Sequence, residues 1–396
     1  MLLYNDIFID LFCRQINHYG EMVCGDVFIS RRVKEEGRTI AVLSDGMGSG
    51  IKANVLASLT SSMALNFTLD HKEALKTSEI IMKTLPICSE RQTSYSTFTI
   101  IDIENDGETT IVEFDNPTCF IVRGKVFFNP GWEKITIEEG KYEGKKIRSC
   151  KFTAQKEDRI IFCSDGVIQA GMGGKAYPGG WGFNEYKEFV IKTIHNNPTI
   201  SSAKLANDVV KYAFRLDHEK PVDDTSCAVI YYRLPRKLLF VSGPPFDDEK
   251  DAFFANLIKD FSGKKIISGG TTAEIVAREL NLNFETKLMQ NDPDLPPTST
   301  IRGIDLVTEG IMTLDKVVKI LENSKKNITY SNGAADQIVK NFLESDQIHI
   351  INGTRINIAH QDPSFPVELE IRRSIIKRIV KILEDKFLKT VTIEYI

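Results

Sequence analysis

The chain has 396 residues, enough for two or three domains at roughly 150 residues each. Hydrophobic residues make up 42% and charged residues 26%, and 50 Lys plus Arg against 54 Asp plus Glu leave a net charge of −4. This composition excludes collagen-like, disordered and disulfide-scaffold classes, and without a long basic block it argues against nucleic acid as a partner.

In chain order, the apolar start is broken by Asp6 and Asp10 and lacks a basic leader or a small-residue cleavage site, so no export signal is expected. Alternation of Ile7, Ile9 and Leu11 predicts a first strand over Tyr4–Leu11. Further strands are expected at Gly25–Arg32, Thr39–Ser44, Ser96–Asp102, Thr109–Asp115, Thr118–Val122, Arg159–Cys163 and Cys227–Tyr232, rich in Val, Ile, Phe and Thr between turn residues. Helices are expected at Ile51–Phe67 and Ala203–Phe214. Strands and helices in separate blocks indicate an α+β sandwich. All seven cysteines, Cys13, Cys24, Cys88, Cys119, Cys150, Cys163 and Cys227, precede residue 228, with no Cys-x-x-Cys pair. Buried thiols in a reducing cytoplasm are the expectation.

Composition changes after Cys227, and Arg233-Leu234-Pro235-Arg236 ends a strand, which puts a domain boundary near Leu234. Beyond it the pattern alternates. Strands Lys237–Val241, Lys265–Ile267, Asn283–Leu288, Gly303–Val307, Gln347–Ile351 and Thr390–Tyr395 are interleaved with helices Asp247–Phe261, Thr271–Leu280, Thr313–Asn323, Ala334–Leu343 and Val367–Phe387. Such alternation predicts a separate three-layer α/β domain, residues 235–396, with a mostly parallel sheet. No apolar stretch of about 20 residues occurs, so no membrane span is expected.

The chemistry of residues 1–234 lies in acidic residues at strand ends. Asp26 follows Gly25; Asp45 closes an apolar run and precedes Gly46-Met47-Gly48; Asp165-Gly166 repeats that pattern; Asp223-Asp224 opens the last strand. One Ser-Asp-Gly is ordinarily a type I turn, and a glycine-rich turn before a helix can also cradle phosphate, although this one lacks the Lys-Ser/Thr ending of a P-loop. Four such sites together suit oxygen ligation of hard cations such as Mg²⁺ or Mn²⁺. The glycine after each Asp is expected to allow a tight turn that offers its own carbonyl.

In order and context these motifs (Gly25-Asp26, Ser44-Asp45-Gly46, Ser164-Asp165-Gly166 and Asp223-Asp224-Thr225-Ser226) resemble the metal-dependent protein serine/threonine phosphatases, and more closely the bacterial stage II sporulation protein E branch. The resemblance covers roughly residues 1–233. It implies a β-sandwich flanked by helices, and two Mn²⁺ or Mg²⁺ ions. Asp45 would bridge both ions, Gly46 would offer its backbone oxygen, Asp165 and Asp223 would hold the second ion, and Asp26 would orient metal-bound water. A bridging hydroxide would attack a phosphoserine or phosphothreonine of a phosphoprotein. Asp224 stands where the family varies between Asp and Asn. Arg14 is the nearest upstream counterpart of the phosphate-clamping Arg of the eukaryotic branch. The Gly171–Gly182 segment reads either as a surface loop or as a flap bringing Lys175 and Trp181 to substrate. Other readings are an inactive phosphatase fold serving as a binding module, which has no need of four converging charges, and a hydrolase of small phosphate esters.

Residues 235–396 carry no family resemblance and read as a regulatory, ligand- or partner-binding module. The turn Ser268-Gly269-Gly270-Thr271-Thr272 leads from a strand into a helix and is the candidate site for a small anionic ligand, with Gly269, Gly270, Thr271 and Thr272 as its residues. The same residues also form an ordinary N-capped turn. Asp305 and Glu309 are expected to bracket a strand end facing the same crevice.

Overall fold

The computed structural model describes residues 7–33, 35–70, 80–81, 84, 96–137, 143–286, 295–323, 331–355, 365–387 and 389–396. Residues 4–6 and 287–288 of the expected strands, and Cys88, lie outside this set. The chain divides into two compact units, Met1–Leu234 and Pro235–Ile396.

In the first unit, β1 (Phe8–Ile16), β6 (Phe120–Arg123), β7 (Val126–Phe128), β10 (Asp158–Cys163) and β11 (Thr225–Arg233) form a five-stranded sheet in the order β1-β11-β10-β6-β7. A six-stranded sheet has the order β2-β3-β4-β5-β9-β8. It is built from β2 (Asp26–Val33), β3 (Arg38–Gly46), β4 (Ser96–Ile103), β5 (Glu108–Phe114), β8 (Glu133–Thr136) and β9 (Lys146–Thr153). Neighbouring strands in both sheets are antiparallel. The inner faces meet through Leu43, Ile101 and Ile111 on one side and Ile121, Ile160, Phe162 and Ile230 on the other. The outer face of the six-stranded sheet (Ile40, Val42, Phe98, Ile100) packs with Ala64 of α1 (Gly50–Leu69). The outer face of the five-stranded sheet (Val122, Ile161, Val229) carries α3 (Phe183–Asn196) and α4 (Ser202–Leu216). Central strands are therefore buried on both faces, which is why they read as near-continuous apolar runs. The short α2 (Asp165–Gln169) follows β10.

Three strands and two helices of this unit, the short α2 among them, go beyond the sequence expectation. β7 and β8 are only three and four residues long. β9 hides its period behind charge, with Ile147, Cys150 and Phe152 buried between Lys and Arg. α3 buries Tyr186, Val190 and Ile194, a helical stripe that was readable once the preceding glycine run ended.

The second unit holds a seven-stranded sheet, β14 (Phe284–Thr286), β15 (Ser299–Ile301), β16 (Leu306–Thr308), β13 (Lys264–Ser268), β12 (Lys237–Ser242), β17 (Gln347–Asn352) and β18 (Thr390–Tyr395), in that spatial order. The five strands from β16 to β18 are parallel, and β14 and β15 add an antiparallel margin. One face packs against α7 (Ile311–Asn323), α8 (Ala334–Glu344) and α9 (Phe365–Asp385). The other packs against α5 (Asp251–Asp260) and α6 (Gly270–Glu279). The helix expected from Asp247 opens instead with a 3₁₀ turn, Asp248–Lys250. The strand expected from Gly303 starts at Leu306, because Gly303 at φ +85° belongs to the preceding turn.

Candidate active site

Asp26 is the first residue of β2 and Asp45 the penultimate residue of β3, and the two are register partners across that pair. Asp165 opens α2 at the end of β10, and Asp223-Asp224 lead into β11. Asp45 and Gly46 thus belong to a strand rather than to a turn. Gly46 keeps an ordinary φ, and its role is close approach, because a Cβ there would collide with the backbone carbonyl of Ala53 in α1. Gly166 is likewise fixed by contact, since its Cβ would strike the carbonyl of Asp224. The glycines therefore draw α1 and the Asp223-Asp224 segment onto the acidic residues.

Asp26 and Asp224 are almost fully buried. Burial pushes the Asp26 carboxyl well up from its ordinary value of 3.8, and the charges of Asp224 and Asp223 push it further, against the Ser226 hydroxyl bonded to it. Asp45 is raised by burial and then by Asp26, Asp165 and Asp223. Asp223 is pushed up to about 6, mainly by burial and then by Asp165. All five carboxylates therefore share one electrostatic neighbourhood, and it repels its own negative charge.

Hydrogen bonds hold these groups without satisfying them. Ser226 Oγ donates to Asp26 Oδ2 at 2.5 Å, and Gln15 Nε2 donates to Ser226 Oγ at 3.0 Å and to the Asp26 carbonyl at 3.2 Å. The His18 backbone N–H donates to Asp224 Oδ1 at 3.0 Å, the Asp224 N–H to Asp223 Oδ1 at 2.8 Å, and Gln169 Nε2 to Asp165 Oδ2 at 2.6 Å. Asp26 Oδ1, Asp165 Oδ1 and Asp224 Oδ2 are buried with no hydrogen-bond partner. Among the described residues, no group of three or more His, Cys, Asp or Glu side chains is placed to hold a metal ion by itself. The donor set nevertheless fits hard cations, being oxygen-only, mutually repelling and left with orphaned oxygens.

Arg14 is exposed, and its neighbour Gln15 makes the contacts to Asp26 and Ser226. Period-2 alternation along β1 carries the signal, for Ile9, Leu11 and Cys13 pack against the inter-sheet core and Gln15 ends that row. Trp181 is 2% exposed and stacks with Tyr186, Phe189 and Tyr212, so it is an anchor of the core and not a substrate contact. Lys175 remains exposed. Cys163 is buried packing, and Cys24 lies beside Asp26 and Asp224, with burial as the main cause of its raised thiol pKa. Gln15 and His18 are site residues outside the motifs, and Ser164 and Ser226 stand inside them without a role assigned from sequence.

The family model described as stage II sporulation protein E matches residues 35–233. The chain belongs to the stage II sporulation protein E family. This is a PP2C-type phosphatase family, and four of the five acidic residues lie inside the matched stretch; Asp26 precedes it. Solved structures similar to the chain include the phosphatase domain of SpoIIE from Bacillus subtilis, at 15% identity and TM-score 0.43, covering 58% of this chain and 94% of that one. RsbX in complex with magnesium is similar at 17% identity and TM-score 0.40, covering 57% and 95%. The catalytic domain of the serine/threonine phosphatase PstP in complex with two manganese ions is similar at 16% identity and TM-score 0.38, covering 57% and 98%. No curated protein matches. No helix among the described residues is long and apolar enough to cross a membrane.

In the second unit, Gly269 precedes α6 and Thr272 is buried in its first turn. The carboxylate of Glu309 lies beside Gly270, 3.0 Å from where a Cβ would stand. Asp305 does not share that crevice. Its Oδ2 accepts from the Lys265 N–H at 2.8 Å, which puts it at the opposite, amino end of β13.

Proposed function

We propose that residues 1–234 are a Mn²⁺- or Mg²⁺-dependent phosphatase that hydrolyses phosphoserine and phosphothreonine of a cytoplasmic phosphoprotein in bacterial signalling. Residues 235–396 would form a separate α/β module that regulates it. The observation that carries the reading is the convergence of Asp26, Asp45, Asp165, Asp223 and Asp224 from four different strand ends or adjoining turns, with three buried carboxylate oxygens lacking partners. Buried like charges at this proximity are costly without a counter-charge.

Asp45, the Gly46 carbonyl, Asp165 and Asp223 would hold two divalent cations, with Asp224 beside them. When bound, the cations supply Lewis-acid activation of water and neutralise the phosphate's charge. The protein contributes position. Asp26 is fixed by Ser226 and Gln15 with Oδ1 left free to orient water, and rigid strand ends hold the remaining carboxylates in place.

Hydrolysis of an aryl phosphate should require added Mn²⁺ and stop in EDTA; full turnover by metal-free protein would contradict the proposal. Asp45→Ala should lower kcat by at least about 100-fold, because the shared ligand is lost. A phosphoserine peptide should be turned over in parallel, and near-normal rates in folded Asp45→Ala would overturn the assignment.

A further inference from the structure

Numbered in chain order, the five parallel strands of the second unit lie as 3-2-1-4-5, with β12 first and β17 fourth. The chain leaves β12 towards β13 on one side and later returns to β17 on the other. Open α/β sheets hold ligands outside the carboxyl ends of the strands at such a switch point.

Four parallel strands end there on a polar residue. Thr308 pairs with Ser268, Ser268 with Ser242, and Ser242 with Asn352, in one row across the sheet. Two residues back in β12 and β13, Phe240 and Ile266 belong to the apolar cluster formed with α7, α8 and α9, and so do Leu306 of β16 and Ile350 of β17. By strand alternation the whole polar row continues that face. All four residues are at most 3% exposed. Ser268 and Thr308 donate to the Glu309 carbonyl. Ser242 Oγ and Asn352 Oδ1 have no partner, and neither does Thr313 Oγ1, buried in the first turn of α7 over the same face.

We propose that this switch point binds a small hydroxyl-bearing phosphate ester. Asn352 Oδ1 can only accept, so the ligand must bring an O–H or N–H. The Ser242 and Thr313 hydroxyls can donate to an anion, as can the amino end of α7. The Arg372 guanidinium of α9 lies so close to Gly243, at φ +85° just past β12, that a Cβ there would collide with it; this puts a cation beside the row. On the opposite face the Glu309 carboxylate lies by the start of α6, so an anion is favoured on the α7 face. This site is independent of the phosphatase reading.

The test is calorimetry of the full chain in EDTA with ribose 5-phosphate, and with inorganic phosphate and ribose as its two halves. Ribose 5-phosphate should bind with Kd below about 1 mM and at least roughly tenfold more tightly than either half. Asn352→Asp, which turns the row against an anion at nearly constant volume, should weaken it roughly tenfold or more, and Arg372→Gln should do the same from the half-buried rim. Asp45→Ala should leave it unchanged. Absence of binding would mean that the orphaned groups hold water only and would overturn the proposal. Loss of binding in Asp45→Ala, or none in both Asn352→Asp and Arg372→Gln with retained far-ultraviolet dichroism, would do so too.

Discussion

Ser226 shows how much of the site is held by groups that carry no charge. Its hydroxyl is the partner of Asp26 Oδ2, while Asp26 Oδ1 has none. Ser226→Ala would remove the 2.5 Å hydrogen bond to Asp26 Oδ2 and leave the buried carboxylate with Ser164 alone, at about 1–3 kcal/mol. Outer-shell groups of a metal site typically matter by about 10–100-fold in affinity or activity, and since Asp26 would orient water, Mn²⁺-dependent turnover should fall by that order; unchanged turnover would remove Ser226 from the site. The raised carboxylates also set a pH dependence. Asp223 binds its proton up to about pH 6 when folded against 3.8 ordinarily, and Asp26 and Asp45 are raised as well. The folded state therefore holds more protons, and stability falls as pH rises through this range. Metal-free protein should melt at lower temperature at pH 7 than at pH 5, and added Mn²⁺ should flatten the difference; a rise from pH 5 to 7 in EDTA would contradict the assignment. The aspartates were legible because strand, acid and glycine recur together in sequence. The contacts of Ser226 and Gln15 with Asp26 were not, since a polar residue at a strand end looks the same whether it faces solvent or a carboxylate.

At the scale of elements, the strands that were easiest to read are those buried on both faces, such as β3, β10 and β11, whose apolar runs leave no other reading. Those missed are marginal strands such as β8, which buries no side chain, and β9, whose buried Ile147, Cys150 and Phe152 are not evenly spaced and stand among Lys and Arg. The Gly171–Gly182 segment misled for a related reason. Glycine-rich composition suggests mobility, but the segment is pinned: the Trp181 N–H donates to the Ala170 carbonyl at 2.8 Å, and the Gly171 N–H to Asp217 Oδ1 at 2.6 Å. The glycines at 171, 173, 180 and 182 take positive φ and let the chain fold back so that the indole reaches the core. Trp181→Ala should therefore cost about 3–5 kcal/mol in urea denaturation, as large buried aromatics do. A flap residue would instead change KM with stability intact, and that outcome would restore the flap.

For the whole molecule, the division at Leu234 and Pro235 separates two compact units. Every carboxylate of the candidate active site precedes residue 225, and each unit has its own buried clusters: three built from residues before 235 and two from residues after it. The interior of the first unit, a sandwich with helices on both outer faces, is closed by strands β1 and β11, its first and last, which pair along nine residues. A fragment ending at residue 234 keeps that pair intact, whereas one ending before Thr225 would lose the central strand β11 and with it the support of Asp223 and Asp224. Residues 1–234 should thus be soluble, unfold cooperatively and retain Mn²⁺-dependent hydrolysis of an aryl phosphate, while residues 1–220 should do none of these. If the second unit regulates the first, the longer fragment should also differ from the full chain in kcat, by a factor in the range of about 5–150 that typical coupling energies allow. Equal kcat in both, with and without ribose 5-phosphate, would make residues 235–396 a separate binding module without control over the phosphatase. A molten fragment 1–234 would show that the two units do not fold independently.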